Sequence, residues 1–547
     1  MKRRRKKKRQ INIIQLEDDV IRLLNIFTVL CIMLTGVLVV RRCGLEGSAF
    51  YFGAMIIYIL LLLIYPIPLS ESLYEAVRRR KETENFRNSK RIFNFGVVST
   101  VAYVLLAFIG IFFAGRLISE YMLAGKSNTL VLGILSANLL FDAVILLISD
   151  YDAAMKDMTH RSIVLFIRSA GSFVMVLLFS RYFYEKGKSV SRFLGNEAPG
   201  QAYLASGAAL GMLISSIIAF AACFVLYLSV RESFEKMIRS DKSSRIEDGY
   251  MLLGNVWPYA LSLLSFFMFD ILIWPVYRGA LVKSGQDMLF RYHMGIYHGV
   301  VMLLLLIPAA LVYLFIQPKM DELKKAIKGE YLHEVNTECR QLTKTAMLIG
   351  FAFCGVFFAL APVICEGLYG CDSVLAVRAL RFGVVILPFL IYSLVSSLYL
   401  VMIKRYMTLI MHTIISAVPS LILAFVLCSS GKVLLMGAMA AFMISQVLLA
   451  LFNHMHLYKY MKFRFNLRDY LVVPLAGALL SMVLSFLLRL LFSLFLPPLI
   501  CFVPAAFIGL FAYFILICIG GSVNKYKLKA ITGGRLLYKI ARKLRVL

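Results

Sequence analysis

Apolar runs of roughly 20 residues recur from one end of the chain to the other, separated by charged breaks, and each is long enough to cross a bilayer as a helix. Lipid offers no hydrogen bonds, so the backbone groups of such runs must be satisfied within the chain, which helices do. The pattern therefore predicts an all-α, polytopic membrane protein of about fourteen transmembrane helices. The expected spans are 20–40, 50–69, 93–115, 129–149, 162–182, 206–230 and 251–275, then 293–316, 347–365, 375–403, 408–428, 433–452, 470–491 and 499–520.

Composition enters as a test of that count. Of the 547 residues 61% are hydrophobic and only 16% charged, too apolar for several soluble domains. The net charge of +29 raises nucleic acid as a partner, but the basic residues fall in alternate breaks rather than on one soluble face. With the amino terminus inside, roughly 41 Lys and Arg lie in inner segments and about 11 in outer ones, the bias that retains cytoplasmic loops. The expectation is thus a multi-pass protein of the cell (inner, cytoplasmic) membrane with both termini cytoplasmic, its partner the lipid bilayer and not nucleic acid. The basic run 2–9 reads as a topology anchor, and the tail 525–545 as a helix lying on the membrane surface. The basic start runs through Glu17, Asp18 and Asp19 into a full-length span, so no removable signal is expected. Ten cysteines lie mostly inside apolar runs and read as small hydrophobes. Cys365 and Cys371 are left between two readings, free thiols or a local disulfide on the outer face.

Two stretches about 245 residues apart look alike. After the second span a basic loop leads to a helix ending Ile111-Phe112-Phe113-Ala114, then Ile118-Ser119-Glu120 and Gly125. After the eighth, a basic loop leads to a helix ending Val356-Phe357-Phe358-Ala359, then Ile364-Cys365-Glu366 and Gly370. A six-span offset preserves orientation, which points to parallel repeats about an axis along the membrane normal; chance likeness of apolar helices is the alternative.

Several of these residues also resemble a known family. Arg41-Arg42-Cys43-Gly44-Leu45-Glu46-Gly47, the aromatic-rich second span and the basic loop ending Lys90-Arg91-Ile92-Phe93 are similar to the amino-terminal signature of the multidrug/oligosaccharidyl-lipid/polysaccharide (MOP) exporter superfamily. Trp257-Pro258, Asp270, Pro308, Pro318 and the helix ending Leu368-Tyr369-Gly370 resemble the second-half pattern of its polysaccharide flippase, stage V sporulation protein B-like branch. The resemblance implies two six-helix lobes in a V-shaped arrangement plus a C-terminal helix pair, with a central cavity lined largely by spans one, two, seven and eight. The matching divisions are a basic tail 1–19, an N-lobe 20–230, a cytoplasmic linker 231–250, a C-lobe 251–455, extra helices 470–520 and a basic tail 521–547. Lipid II flippases of the superfamily carry an Arg-Asp pair in the first span, where this chain has Thr35 and Gly36, and a second-span arginine where it has Leu63. Their eighth-span arginine also lacks a clear match ahead of Pro308. A lipid-linked glycan other than the peptidoglycan precursor is the better expectation.

Ionisable residues inside spans cost about 2.5–3.5 kcal/mol at the helix centre and need a partner or a wet cavity. Asp142 and Arg168 lie at similar depth, roughly 10 Å from the inner ends of consecutive antiparallel spans, and are expected to form a structural ion pair. Asp270 and His298 have the same relation on the outer side of spans seven and eight, so they are candidates for coupling to protonation, with a packing contact as the alternative. Arg22 is a candidate for capturing a pyrophosphate headgroup, because a guanidinium donates two hydrogen bonds to phosphate. Snorkelling to lipid phosphates is its other reading. Arg41, Arg42 and Arg278 are basic on the outer side and are candidates for lining the exit. No catalytic constellation or metal-binding histidine motif stands out, so the chain is read as a non-enzyme without a cofactor, its coupling ion, proton or sodium, left open. The function expected is outward flipping of a polyprenyl-pyrophosphate-linked oligosaccharide for a cell-envelope or extracellular polysaccharide by alternating access, with glycosyltransferase or polymerase subunits as further partners. The alternatives are an ion-coupled multidrug exporter of the same superfamily and a non-transporting subunit that anchors a polysaccharide synthase.

Overall fold

The structure is a computed structural model that describes residues 2–123, 125–156, 158–195, 197–241, 249–328, 332–464 and 466–520. Among these residues no strand occurs, and thirteen helical stretches are long and apolar enough to cross a membrane. The expected count of fourteen differs because the first stretch, Asp19–Glu82, takes in two expected spans. Its 64 residues would measure about 96 Å as one helix, three bilayer cores. Gly44 breaks it: at φ 71° and ψ 176° the backbone leaves the helical region at a single residue, in a conformation that needs glycine. The spans expected at 20–40 and 50–69 lie on either side of that break.

The chain divides into two compact units, Met1–Gly295 and Ile296–Leu547. This contact-based boundary is a different property from the repeat boundary expected at 251, and it groups the seventh-span helix with the first unit. The first unit holds α1 (Lys2–Ile64), α2 (Pro66–Glu82), α3 (Phe86–Tyr121), α4 (Thr129–Met155), α5 (Thr159–Leu194), α6 (Glu197–Ser240), α7 (Met251–Lys283) and the short α8 (Phe290–Met294). Helix α6 runs ten residues past the expected span end at 230, where Arg231–Glu235 and Glu232–Lys236 pairs one turn apart support a helix outside lipid. Small residues let α5 and α6 approach closely, as membrane helices without a hydrophobic driving force require. A methyl group at Gly211 would come within 2.7 Å of the Val176 backbone nitrogen, and one at Gly207 within 2.7 Å of the Phe183 Cβ. One apolar cluster joins Phe50, Tyr51 and Tyr58 of α1 to Leu132, Leu135 and Leu139 of α4 and Ala205, Ala208 and Ala209 of α6. A second joins α2, α3, α4, α6 and α7, where the Phe93 ring stacks on Tyr151 at 4.2 Å and Tyr151 meets Phe234 edge-on at 5.9 Å.

The second unit holds α9 (Leu303–Lys328), α10 (Leu332–Val363), α11 (Val374–Met402), α12 (Tyr406–Ser429), α13 (Leu434–Met461), α14 (Val473–Phe492) and α15 (Pro498–Ile519). Wider π-helical turns precede α9 (Gly295–Met302), end α10 (Ile364–Leu368) and precede α14 (Arg468–Val472). The last two helices pack on α10. A methyl group at Gly355 would press on the Ala478 carbonyl and the Ser481 hydroxyl of α14, and one at Gly509 of α15 would lie 3.2 Å from Val356. The tail 521–547, expected on the membrane surface, lies outside the described residues, as does 242–248 of the expected linker.

Candidate functional site

The most developed polar site of the first unit is built by four helices around Asp142. Asn138 and Asp142 are one turn apart on α4 and face the same way. Arg168 of α5 donates through Nε to Asp142 Oδ1 at 2.6 Å and through a second guanidinium nitrogen to Oδ2, a bidentate pair. Ser216 of α6 donates to Oδ1 at 2.8 Å. Tyr58 of α1 donates to Oδ2 through a short bond, and Asn138 Nδ2 donates to Oδ2 and to the Tyr58 oxygen, both at 3.1 Å. Ser215 closes the cluster by donating to the Arg168 carbonyl at 2.6 Å. Five donor contacts therefore meet a carboxylate with about four lone-pair sites. Nothing is left on Asp142 for a metal ion or a substrate group to claim, so the chemistry open to this cluster is to hold α1, α4, α5 and α6 in one arrangement.

The pair continues as a ladder toward the turn between α4 and α5. Arg161 lies 3.0 Å from Asp150 and His160 3.7 Å from Asp152, so residue numbers rise along α4 as they fall along α5. That is the antiparallel hairpin expected from the spans.

The second unit carries a neutral network instead. His412 Nδ1 lies 2.9 Å from Asn453 Oδ1, which only accepts, so the ring donates. Asn453 Nδ2 donates to Ser397 at 2.8 Å and to Ser396 at 3.3 Å. On the same two helices Tyr392 shares a hydrogen bond of 2.8 Å with His454 Nδ1, and Ser393 donates to Gln446 at 2.5 Å. Neither His412 nor Asn453 is singled out from the sequence. The signal was there: a histidine and an asparagine in or at the edge of apolar runs need partners.

The other expected residues are placed as follows. Arg22, Arg41 and Arg42 are exposed on α1. Arg22 lies 22 residues before the Gly44 break, about 33 Å of helix, so it and the Arg41-Arg42 pair sit at opposite ends of the first span. Arg278 of α7 is turned to another use. It donates to the carbonyls of Glu120, through a short bond, and of Leu123 at 3.1 Å, stands 3.7 Å from Asp287, and lies 5.5 Å over the Phe290 ring. A cation on the last carbonyls of α3 satisfies acceptors the helix leaves open and suits the negative end of its dipole. Asp270 is half-buried on α7 and belongs to the first unit, whereas His298 is buried in the π-helical segment and belongs to the second. Among the described residues no group of three or more His, Cys, Asp and Glu is arranged to hold a metal ion.

No family model and no curated protein matches the chain. Solved structures do. The lipid II flippase MurJ in an inward closed conformation matches with a TM-score of 0.59 at 16% identity, over 91% of this chain and 98% of its own. A multidrug resistance MATE family transporter of the MOP superfamily, in an inward-facing conformation, matches with a TM-score of 0.60 at 14% identity, over 81% of this chain and 99% of its own. A MOP superfamily transporter from Pyrococcus furiosus matches with a TM-score of 0.56 at 14% identity, over 82% and 96%. The chain shares the fold of these MOP superfamily transporters.

Proposed function

We propose that this chain is a flippase that moves a polyprenyl-pyrophosphate-linked oligosaccharide across the cell membrane by alternating access, with both termini in the cytoplasm. The observation that carries the reading is coverage. The lipid II flippase accounts for about ten percentage points more of the 547 residues than the MATE transporter does, or about 55 residues. The final helical stretch from Arg468 to Ile519 is of that length, and it packs on α10 as part of the second unit. The exposed arginines at the two ends of the first span suit an anionic lipid headgroup, Arg22 for capture and Arg41 with Arg42 for release. Arg278 drops from this set, because its guanidinium is occupied at the end of α3.

The similar TM-scores of the flippase and the multidrug transporters favour a second reading, export of a drug-like cation. Mass spectrometry of lipids that copurify with the protein separates the two. A polyprenyl-diphosphate carrying sugars is the expected finding; bulk phospholipid alone, together with saturable binding of an organic cation, favours the exporter.

A further inference from the structure

The π-helical end of α10 delivers two cysteines to one point. Cys365 is buried, Cys371 is half-buried in the turn toward α11, and both are free thiols. The Cys371 N–H donates to the Cys365 carbonyl at 3.0 Å, across Gly370 at φ 65°. That bond places the two residues side by side across the turn, and a disulfide accepts Cα atoms roughly 4.4–6.8 Å apart. The two side chains interact across this turn.

The turn between them is held on every side. Tyr369 is buried and donates to the Val300 carbonyl at 3.2 Å, the Gly370 N–H reaches the Glu366 carbonyl at 3.1 Å, and Gly367 packs on the backbone of Leu499 in α15. Ser373 caps α11 by accepting from the Ala376 N–H at 3.1 Å. Closing the pair asks for thiol chemistry and little backbone movement.

We propose that Cys365 and Cys371 are a vicinal thiol pair that closes reversibly into a disulfide by exchange with a disulfide-bearing oxidant. Cys371, the more accessible sulfur, attacks first as a thiolate; the oxidant's disulfide breaks, a mixed disulfide forms on Cys371, and one thiolate leaves and takes up a proton. Cys365 then gives up its proton, attacks the Cys371 sulfur and expels the second thiol. Two protein thiols and one oxidant disulfide become one protein disulfide and two small thiols. The interaction with Cys365 also lowers the pKa of the Cys371 thiol, which favours it as the attacking member. In the orientation proposed above this turn faces the outer, oxidising side, where such bonds persist. The bond would fix the end of α10 to the turn that starts α11.

The test equilibrates the purified full chain with oxidised and reduced glutathione in varying ratio, then quenches, alkylates and digests it with a protease that cuts after Tyr369. The result expected is that Cys365 and Cys371 leave the alkylated pool together as two joined peptides, while the other eight cysteines stay alkylated. Cys365→Ser should trap Cys371 as a stable glutathione adduct, and Cys371→Ser should leave Cys365 alkylated. Wild-type protein that keeps Cys371 free, or accumulates the glutathione adduct without the joined peptides, would overturn the proposal whatever the variants do.

Discussion

The first unit places a full ion pair in its interior, whereas the second places a chain of neutral hydrogen bonds in a comparable position. Around Asp142 and Arg168, donors from four helices saturate the carboxylate. Around Asn453, a histidine and two serines share amide hydrogen bonds and no group needs a countercharge. The difference teaches that the Asp142 charge sits where its environment is complete, and that the same completeness makes it costly to disturb. Packing contrasts in the same way. In the matched stretches 111–114 and 356–359, Phe112 and Phe113 are 76% and 77% exposed, whereas Phe357 is 5% exposed.

The contrast breaks most sharply at Arg168. Arg168→Met leaves Asp142 as an uncompensated buried charge and should cost about 3–5 kcal/mol, read as a lower unfolding midpoint in detergent. The double variant Asp142→Leu with Arg168→Met should recover most of that loss, and a strictly additive double variant would contradict the pairing. Next comes Gly355→Leu, which pushes a side chain into α14 and should cost about 1–3 kcal/mol, while Gly110→Leu, with nothing within 4 Å, should stay within about 0.5 kcal/mol. The same melting measurement checks both, and equal effects would mean that α14 does not cover this face. A loss clearly below that of Arg168→Met, about 1–2 kcal/mol for stranding His412 and Ser397, is expected at Asn453→Leu. A loss as large as the charged one would erase the distinction between the two networks.

Much of this architecture was legible because the bilayer fixes the length of each apolar run, so the thirteen stretches found among the described residues hold the fourteen expected spans. Asp142 and Arg168 were legible for the same reason: depth counted from span ends placed them level on neighbouring helices. Tyr58 and Ser216 were not, since they come from helices far off in sequence and which face each turns inward is settled only by packing. Arg278 looked like an outer-exit residue from its position alone. Its use at the end of α3 depends on a contact between residues 158 apart, which no local pattern announces. Between the spans expected at 20–40 and 50–69, the single residue Gly44 suffices to interrupt the helix.

The central claim, movement of a lipid-linked glycan, is tested most directly by reconstituting the protein in proteoliposomes and following the access of a lectin or glycosidase to a polyprenyl-diphosphate oligosaccharide loaded on one leaflet. The account predicts protein-dependent transfer to the opposite leaflet, slowed at least tenfold by Arg22→Glu and much less by Arg22→Lys, because charge reversal repels the diphosphate whereas lysine keeps a point charge. Proteoliposomes that leave every polyprenyl-diphosphate glycan on its original leaflet, while the same vesicles transport an organic cation, would contradict it.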